Sequence, residues 1–222
     1  MDVVLEKLSI IIDTFSNLLK FTGITIELTL VGTTIGIVLG LLLAVARLSK
    51  HRVFRSISWF YIWVFRGTPL LMQLFFIYYA LPMFSEYLMF PPIAAGIVAL
   101  GLNSAAYLAE IIRAAILSID KGQMEASKAI GMSYAQSMRR IIIPQSYRRL
   151  IPPVGNEVIM LLKDSALVSA ISLTELLRRS NQILNNTGNP SIYLYTAAIY
   201  LFLTSILTFV FQKLEAKYSV YE

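Results

Sequence analysis

Long apolar stretches alternate with short charged ones along the chain, and this alternation indicates the fold class. A helix that crosses a membrane needs about 20 mostly apolar residues. About five segments meet this requirement, namely Thr22–Ala46, Ser58–Leu81, Pro92–Ile119, Pro152–Ile171 and Ser191–Gln212. The fourth segment is the most polar, because Glu157, Lys163 and Asp164 interrupt it. The pattern predicts an all-α polytopic membrane protein with a single transmembrane domain over residues 1–222.

The residues before the first crossing follow a different pattern. Apolar and polar positions are interleaved there, with Val3, Val4, Ile10, Ile11 and Phe15 set among Glu6, Lys7, Asp13 and Asn17. This pattern predicts an amphipathic helix over residues 1–21 that lies in the membrane interface. The alternative is an extension of the first crossing helix. An acidic start without a small-residue cleavage site indicates that the segment is retained, not removed as a signal peptide.

Composition and charge agree with a membrane protein. Hydrophobic residues make up 57% of the chain and charged residues 14%, whereas a soluble domain carries about 25% charged residues. The net charge of +6 comes from lysines and arginines that stand between the apolar stretches. We therefore attribute it to membrane topology and not to nucleic-acid binding.

The placement of lysine and arginine predicts an orientation. One side carries most of them, namely Arg47, Lys50, Arg52, Arg55, Lys121, Lys128, Arg139, Arg140, Arg148, Arg149, Lys213 and Lys217. The other side carries Lys7, Lys20, Arg178 and Arg179. Because basic loops stay in the cytoplasm, we expect the N-terminus outside and the C-terminus inside the cell.

The basic connection after the third crossing, residues 120–150, is patterned as two short helices. Asp120 with Gln123, and Ser133 with Gln136, are spaced as capping boxes that start helices. Gly131 lies between them, where a helix commonly ends in a left-handed turn. Pro144 is expected to disturb the second helix near its end. An apolar helix side exposed to the cytoplasm suggests a protein partner.

This connection resembles the EAA loop of bacterial ABC importer permeases. Glu125-Ala126-Ser127, then Gly131, Ile141 and Pro144 follow that loop's spacing, with Ser127 in place of its second alanine. The stretch Arg66–Phe75 is similar to the signature of the polar amino acid permeases. Ala109–Arg113 and Leu162–Leu167 are similar to two further family stretches. The resemblance covers nearly the whole chain.

The resemblance implies the architecture of a type I ABC importer permease and its partners. It implies a five-span permease that pairs with a second copy (favoured) or with a similar second permease. Two cytoplasmic ABC ATPase subunits and an extracytoplasmic substrate-binding protein complete such an importer. It also implies that Glu125, Ala126, Ser127 and Gly131 form the coupling helix that contacts the ATPase.

Candidate chemistry within the chain is confined to polar residues in the crossings. The sequence has no Gly-x-x-x-x-Gly-Lys-Ser/Thr loop, no cysteine and no metal-spaced cluster. We therefore predict a non-catalytic subunit that holds no cofactor, with ATP and magnesium on the partner ATPase. The lone His51 lies in a basic loop and is expected to be a surface residue.

Polar groups at mid-membrane depth are costly and usually line a path or pair with each other. The candidates for the substrate path are Arg66, Thr68, Met72, Gln73, Asn103, Ser104 and Asp164. The Gly67–Pro69 pair is expected to break its helix there, which is tolerated where backbone lines a cavity. Glu110 and Arg113 are interpreted as a structural pair, with Glu157 as a second structural group. For the path candidates, a purely structural role stays open.

Two other functions remain open from the residues alone. The acidic residues Glu110, Glu157 and Asp164, together with Arg113, suit an ion-gradient-coupled amino acid transporter. A non-transporting scaffold does not explain the charged crossings. The leading hypothesis is alternating access driven by ATPase subunits. The amino acid itself is not specified, although Glu27 and Asp164 favour a basic or amide side chain.

Overall fold

In the computed structural model, the backbone is described for residues 2–218 and the side chains for residues 12–218. These residues form helices joined by short turns, without a strand. The helices are α1 (Asp2–Leu48), α2 (Arg52–Gly67), α3 (Leu70–Phe75), α4 (Leu81–Phe84), α5 (Pro92–Leu117), α6 (Lys121–Ala129), α7 (Tyr134–Ser137), α8 (Ile143–Asp164), α9 (Leu176–Thr187) and α10 (Ile192–Tyr218). A π-helical turn, Phe76–Ala80, joins α3 to α4, and another, Met138–Ile142, joins α7 to α8. Short 3₁₀ segments cover Glu86–Leu88 and Ser165–Ile171.

The apolar stretches correspond to the long helices, and the all-α membrane architecture is confirmed. Residues Ile12–Leu48 of α1, α5 and α10 are each long and apolar enough to cross a membrane. The pair Arg52–Gly67 and Leu70–Phe84 passes the same test together, but it is bent by 105°. The predicted second crossing, Ser58–Leu81, is therefore two helices at a large angle and not one straight span.

Two further predicted boundaries are corrected by the structure. Helix α8 starts at Ile143 and ends at Asp164, so the predicted fourth crossing is only partly α-helical and continues as the 3₁₀ segment Ser165–Ile171. Pro144 does not end a helix. It lies in the first turn of α8, directly after the π-helical turn. Because a proline has no N–H to donate to the carbonyl four residues earlier, the helix changes type beside Pro144 instead of ending there.

Residues 2–48 contain no break between the predicted interfacial segment and the first crossing, because α1 is continuous from Asp2 to Leu48. The amphipathic pattern of residues 1–11 lies outside the described side chains. How α1 is divided between interface and hydrocarbon stays a prediction.

The core lies where α1, α3, α5 and α8 meet. Its buried members are Leu28, Leu74, Ile77, Ala95, Ala99, Leu100, Leu161, Val168 and Ile171. Side-chain hydroxyls also connect the helices. Ser58 of α2 donates to the Leu43 carbonyl of α1 at 2.8 Å, and Tyr61 of α2 donates to the Leu102 carbonyl of α5 at 2.8 Å. Helix α2 is therefore fastened to both long helices.

Close packing of α1 on α5 depends on a stripe of glycines in α1. Sequence spacing suggests that Gly32, Gly36 and Gly40 let helices approach, and all three face α5. A Cβ atom added at Gly40 would lie 2.9 Å from Leu108 Cβ and 3.1 Å from the Ala105 carbonyl oxygen. The two backbones can therefore approach this closely only because position 40 has no side chain.

Replacing Gly40 by alanine should destabilise the protein by about 1–3 kcal/mol, the usual effect of an overpacked core. Thermal unfolding of the purified protein in detergent would measure this. Gly23→Ala is the matched control, since nothing lies within 4 Å of its added Cβ. In a helix interior that change should be neutral or slightly stabilising. Equal melting temperatures for the two variants would contradict the packing argument.

Candidate functional site

The break between α2 and α3 is stabilised by a side-chain amide. Helix α2 ends at Gly67 and α3 begins only after Pro69, so the last carbonyls of α2 lack helical donors. Gln73 Nε2 donates to the Phe65 carbonyl at 2.8 Å, to the Thr68 carbonyl at 3.1 Å and to Thr68 Oγ1 at 2.9 Å. The predicted helix break at Gly67–Pro69 is confirmed, and Gln73 satisfies the carbonyls that the break exposes.

A second amide joins this group from the neighbouring helix. Asn103 Nδ2 of α5 donates to Gln73 Oε1 at 3.0 Å and to the Phe65 carbonyl at 3.3 Å. Only 8% of Gln73 and 7% of Asn103 is exposed. We call Thr68, Gln73 and Asn103 the amide cluster. The structure thus brings together these three of the predicted path residues. The side-chain amides of Gln73 and Asn103 are bonded to the protein itself.

A cavity of about 540 Å³ lies against the amide cluster. Thr68, Met72 and Gln73 line it, together with Val64, Phe65, Phe76, Ile77, Leu81 and Leu102. Met72 is 58% exposed. The wall is mostly apolar, so this space can pass the aliphatic part of a solute, but it presents few groups that would hold a charged one.

Arg66 lies in different surroundings from the amide cluster. Its guanidinium carbon is 5.3 Å from the centre of the Tyr107 ring in α5. It also lines a cavity of about 500 Å³ together with Glu110 of α5 and Arg149 and Pro153 of α8. The Arg149 guanidinium in turn donates to the Ser118 carbonyl. Arg66 is therefore placed among charged groups from other helices.

Ser104 and Asp164, the remaining predicted path residues, also lie apart from the amide cluster. Ser104 is 1% exposed, and it packs against Gly36 of α1, whose added Cβ would lie 2.9 Å from Ser104 Oγ. Its buried hydroxyl has no hydrogen-bond partner within the part of the chain that the structure describes. Asp164 is half-buried at the last residue of α8. The structure therefore does not bring all seven path candidates together in this arrangement.

The predicted Glu110–Arg113 pair is present. Arg113 Nη2 lies 2.7 Å from Glu110 Oε2, and Arg113 Nε lies 3.0 Å and 3.1 Å from the two carboxylate oxygens. This two-pronged contact is the strongest form of a guanidinium–carboxylate pair. Glu157 is not part of it.

The connection after α5 has the predicted bent, capped geometry. Asp120 Oδ1 accepts from the Gly122 amide at 2.6 Å, which starts α6, while Gln123 contacts Gln145 instead of completing a box. Gly131 has φ +81° and ends α6. The Met132 amide donates to the Ser127 carbonyl at 3.0 Å, and the Gly131 amide to the Lys128 carbonyl at 2.9 Å. These two bonds define a Schellman turn.

The second predicted capping box is complete. Ser133 Oγ accepts from the Gln136 amide at 3.3 Å, and Gln136 Oε1 accepts from the Ser133 amide at 2.8 Å. Glu125 and Ala126 are exposed on α6. Ile130 at the bend is 77% exposed and Tyr134 is 59% exposed. The bend therefore presents an apolar tip flanked by a carboxylate.

Ser127, the residue that departs from the Glu-Ala-Ala pattern, joins the two short helices. Its hydroxyl donates to the Met124 carbonyl at 2.8 Å and lies 2.7 Å from Ser137 Oγ. Ser127 is 1% exposed and Ser137 is 0% exposed. The hydroxyl pair holds α6 against α7, which an alanine cannot do.

Ser127→Ala should loosen α6 without unfolding the bundle. The buried Ser137 hydroxyl loses this partner but keeps its hydrogen bond to the Ser133 carbonyl, so the cost is about 0.5–1.5 kcal/mol. We expect a lower melting temperature and greater exposure of α6 to proteolysis. Ser205→Ala, at an exposed site on α10, is the control. A Ser127→Ala variant with unchanged stability and proteolysis would contradict this role.

Sequence reasoning missed Glu175. It is 0% exposed, and its carboxylate starts α9 by accepting from the Leu177 amide at 2.8 Å and the Arg178 amide at 2.7 Å. The Tyr200 hydroxyl of α10 also donates to it, at 3.3 Å. The sequence feature that could have identified it is an acidic residue directly before a helical stretch, which is typical of a helix start. Its burial depends on α10, which no local pattern specifies.

Known proteins share both the sequence and the fold of this chain. Residues 36–220 match the family described as binding-protein-dependent transport system inner membrane component. The chain is 41% identical to the Bacillus subtilis arginine transport system permease protein ArtQ over 90% of this chain and 91% of that protein. It is 44% identical to the Corynebacterium glutamicum arginine transport system permease protein ArgU over 82% of this chain, and it spans 62% of that longer relative.

A solved structure shows the same architecture. It is described as an amino acid ABC transporter with histidines, and its chain is 38% identical to this one. The match has a TM-score of 0.87 and covers 95% of this chain and 97% of that chain. The capped bend, the multi-pass helical bundle and the family match agree. The chain therefore belongs to the binding-protein-dependent transport system inner membrane components, the multi-pass permease subunits of ABC importers in the cell membrane.

Proposed function

We propose that this permease imports a polar amino acid with a basic or amide side chain, and that arginine is the first candidate. The relatives named for arginine transport support the substrate class. The observation that carries the mechanism is the bend at Gly131, because it exposes Glu125, Ala126 and Ile130 on a capped and braced helix pair. An exposed apolar tip of this kind suits a partner protein.

The partner at this tip is a cytoplasmic ABC ATPase subunit. Helix α6 is short and is held at both ends, by Asp120 at its start and by the Schellman turn at its end. The Ser127–Ser137 contact joins it to α7, which continues through the π-helical turn into α8. A displacement of α6 by the ATPase would therefore move α8, which is a membrane helix. ATP and magnesium belong to that ATPase, and this chain carries out no hydrolysis.

The remaining assembly follows the same scheme. A second copy of this chain completes the permease, residues 1–222 act as one translocation domain, and an extracytoplasmic binding protein delivers the solute. The solute passes beside the break of α2 and α3, where Thr68 and Met72 face the cavity of about 540 Å³. Gln73 and Asn103 keep the break in place. Arg66, Ser104 and Asp164 do not line this cavity.

Uptake by reconstituted protein tests the energy source and the substrate together. The permease is placed in liposomes with its ATPase, and the binding protein and labelled arginine are added outside. We expect uptake that requires ATP inside, with competition by unlabelled arginine or glutamine exceeding that by glutamate. Uptake driven by an ion gradient without nucleotide would contradict the proposal. ATP-driven uptake without arginine competition would contradict only the substrate.

The orientation has its own test, because the sequence contains no cysteine. Ala129→Cys on α6 and Asn186→Cys on α9 place single thiols at exposed positions. In intact cells, a membrane-impermeant maleimide should label the α9 thiol and spare the α6 thiol until the membrane is permeabilised. The reverse pattern would place α6 outside the cell and exclude contact with a cytoplasmic ATPase.

A further inference from the structure

A second, smaller cavity lies between the end of α1, the helix α2 and the C-terminal part of α5. Its volume is about 320 Å³, and it is lined by Arg47, Trp59, Ile62, Trp63, Arg66, Gly67 and Glu110. We call it the arginine–tryptophan cavity. It combines guanidinium groups with a wall of aromatic rings, a combination that the translocation mechanism above does not use.

The polar end of this cavity is positively charged. Glu110 is its acidic lining residue, and its carboxylate is already held by the two-pronged contact with Arg113. Arg47 approaches Glu110 Oε1 only to 3.8 Å, which is beyond hydrogen-bond range. The Glu110 carboxylate is therefore neutralised mainly by Arg113. It offsets little of the positive charge of Arg47 and Arg66, the two arginines that line the cavity.

Arg47 also has an unused donor. Its Nε atom is buried and has no hydrogen-bond partner among the described residues. A buried guanidinium N–H without an acceptor is destabilising, since desolvation is not offset. The Arg66 guanidinium stacks over the Tyr107 ring at 5.3 Å, and such stacking uses its face and leaves its N–H edge for an acceptor. An anion with several oxygens would satisfy both arginines.

The apolar wall of the cavity is exposed on the surface of the helical bundle. Trp59 and Trp63 stack with ring centres 6.0 Å apart, and they are 51% and 59% exposed. The exposed face of α2 continues with Phe54, Ile57 and Phe60. Because α2 meets the following segment at 105°, both cannot lie along the membrane normal. Exposed tryptophans beside arginines are typical of the level where lipid headgroups meet acyl chains.

We propose that the arginine–tryptophan cavity binds one anionic phospholipid, with its phosphate on Arg47 and Arg66 and its acyl chains along Trp59 and Trp63. Basic cavities between membrane helices are suited to anionic headgroups. A free inorganic phosphate would use the arginines, but it would leave the exposed tryptophan wall unused. The site is independent of the ATPase contact at α6.

Native mass spectrometry of the permease–ATPase complex tests the assignment. The complex is released from detergent in the presence of phosphatidylglycerol, phosphatidylcholine of the same chain length, or inorganic phosphate. We expect phosphatidylglycerol to be retained in preference to phosphatidylcholine. Arg47→Gln should reduce its retention roughly tenfold, since it removes charge-assisted hydrogen bonds. Arg47→Lys should keep part of it, because the charge remains.

Arg55→Gln is the matched control, because it removes the same charge from an exposed position of α2 that does not line the cavity. It should retain phosphatidylglycerol as the unchanged complex does. Each variant is first shown to assemble with the ATPase, so that misfolding is not mistaken for lost binding. Equal retention of the two lipids, equal effects of Arg47→Gln and Arg55→Gln, or displacement of the lipid by millimolar inorganic phosphate would overturn the proposal.

Discussion

Replacing Gly131 by leucine should uncouple ATP hydrolysis from uptake. Gly131 has φ +81° and nothing lies within 4 Å of an added Cβ, so the obstacle is backbone conformation and not space. A residue with a side chain in this left-handed region costs roughly 1–2 kcal/mol, and a leucine would bias the turn toward other geometries. The apolar tip at Ile130 would then be displaced from the ATPase.

We expect ATP-driven uptake in liposomes to fall about tenfold or more. We also expect that the solute-loaded binding protein no longer stimulates ATPase activity. Gly131→Asn should recover part of the activity, because asparagine tolerates this region better than leucine. The chain also supplies a matched control in Gly188, which has φ +65° and open space around its Cβ position.

Gly188→Leu introduces similar backbone strain at the end of α9, away from α6. It should lower stability to a similar degree and keep uptake coupled to ATP hydrolysis. If both leucine variants reduced uptake equally in proportion to lost stability, the bend at Gly131 would have no special role. Normal transport by Gly131→Leu would argue against the coupling mechanism altogether.

Gln73→Leu should cause the largest loss of stability among the residues near the path. The change removes the donor to the Phe65 and Thr68 carbonyls and the acceptor of Asn103. Each buried polar group left without a partner costs about 1–3 kcal/mol, and water is scarce at this depth to replace the bonds. We expect a melting temperature many degrees lower, together with loss of uptake.

A double-mutant cycle separates this cluster from a general effect of polarity. Asn103→Leu alone should also destabilise, and the pair with Gln73→Leu should cost less than the sum of the single changes, since the two amides share a hydrogen bond. Asn186→Leu removes an exposed amide from α9 and should have little effect on stability. Strict additivity of Gln73 and Asn103 would contradict the cluster as described.

The amide cluster shows why the site was only partly predictable. Intramembrane polar residues were expected either to contact solute or to bond within the protein, and spacing alone cannot distinguish these roles. Thr68, Gln73 and Asn103 do bond to one another, because a broken helix needs donors for its last carbonyls. Arg66, only two residues before Thr68, packs instead on Tyr107, and that choice depends on where α5 passes.

Local features of the protein were readable from the sequence by itself. The apolar stretches determined the helical membrane fold, the Gly67–Pro69 pair determined the break, and Asp120, Gly131 and the Ser133–Gln136 box determined the bent connection. These features depend on hydrophobicity and on backbone chemistry within a few residues. The glycine stripe of α1 likewise predicted close helix packing before its partner was known.

Only the tertiary structure decided the 105° angle between α2 and the following segment, the Ser127–Ser137 contact, the burial of Glu175 and the cavity between Arg47 and Arg66. Each of these joins residues from separate elements, so its energy depends on how whole helices pack. A side chain's neighbours across such an interface are set by the positions of the backbones, and no short stretch of the chain carries that information.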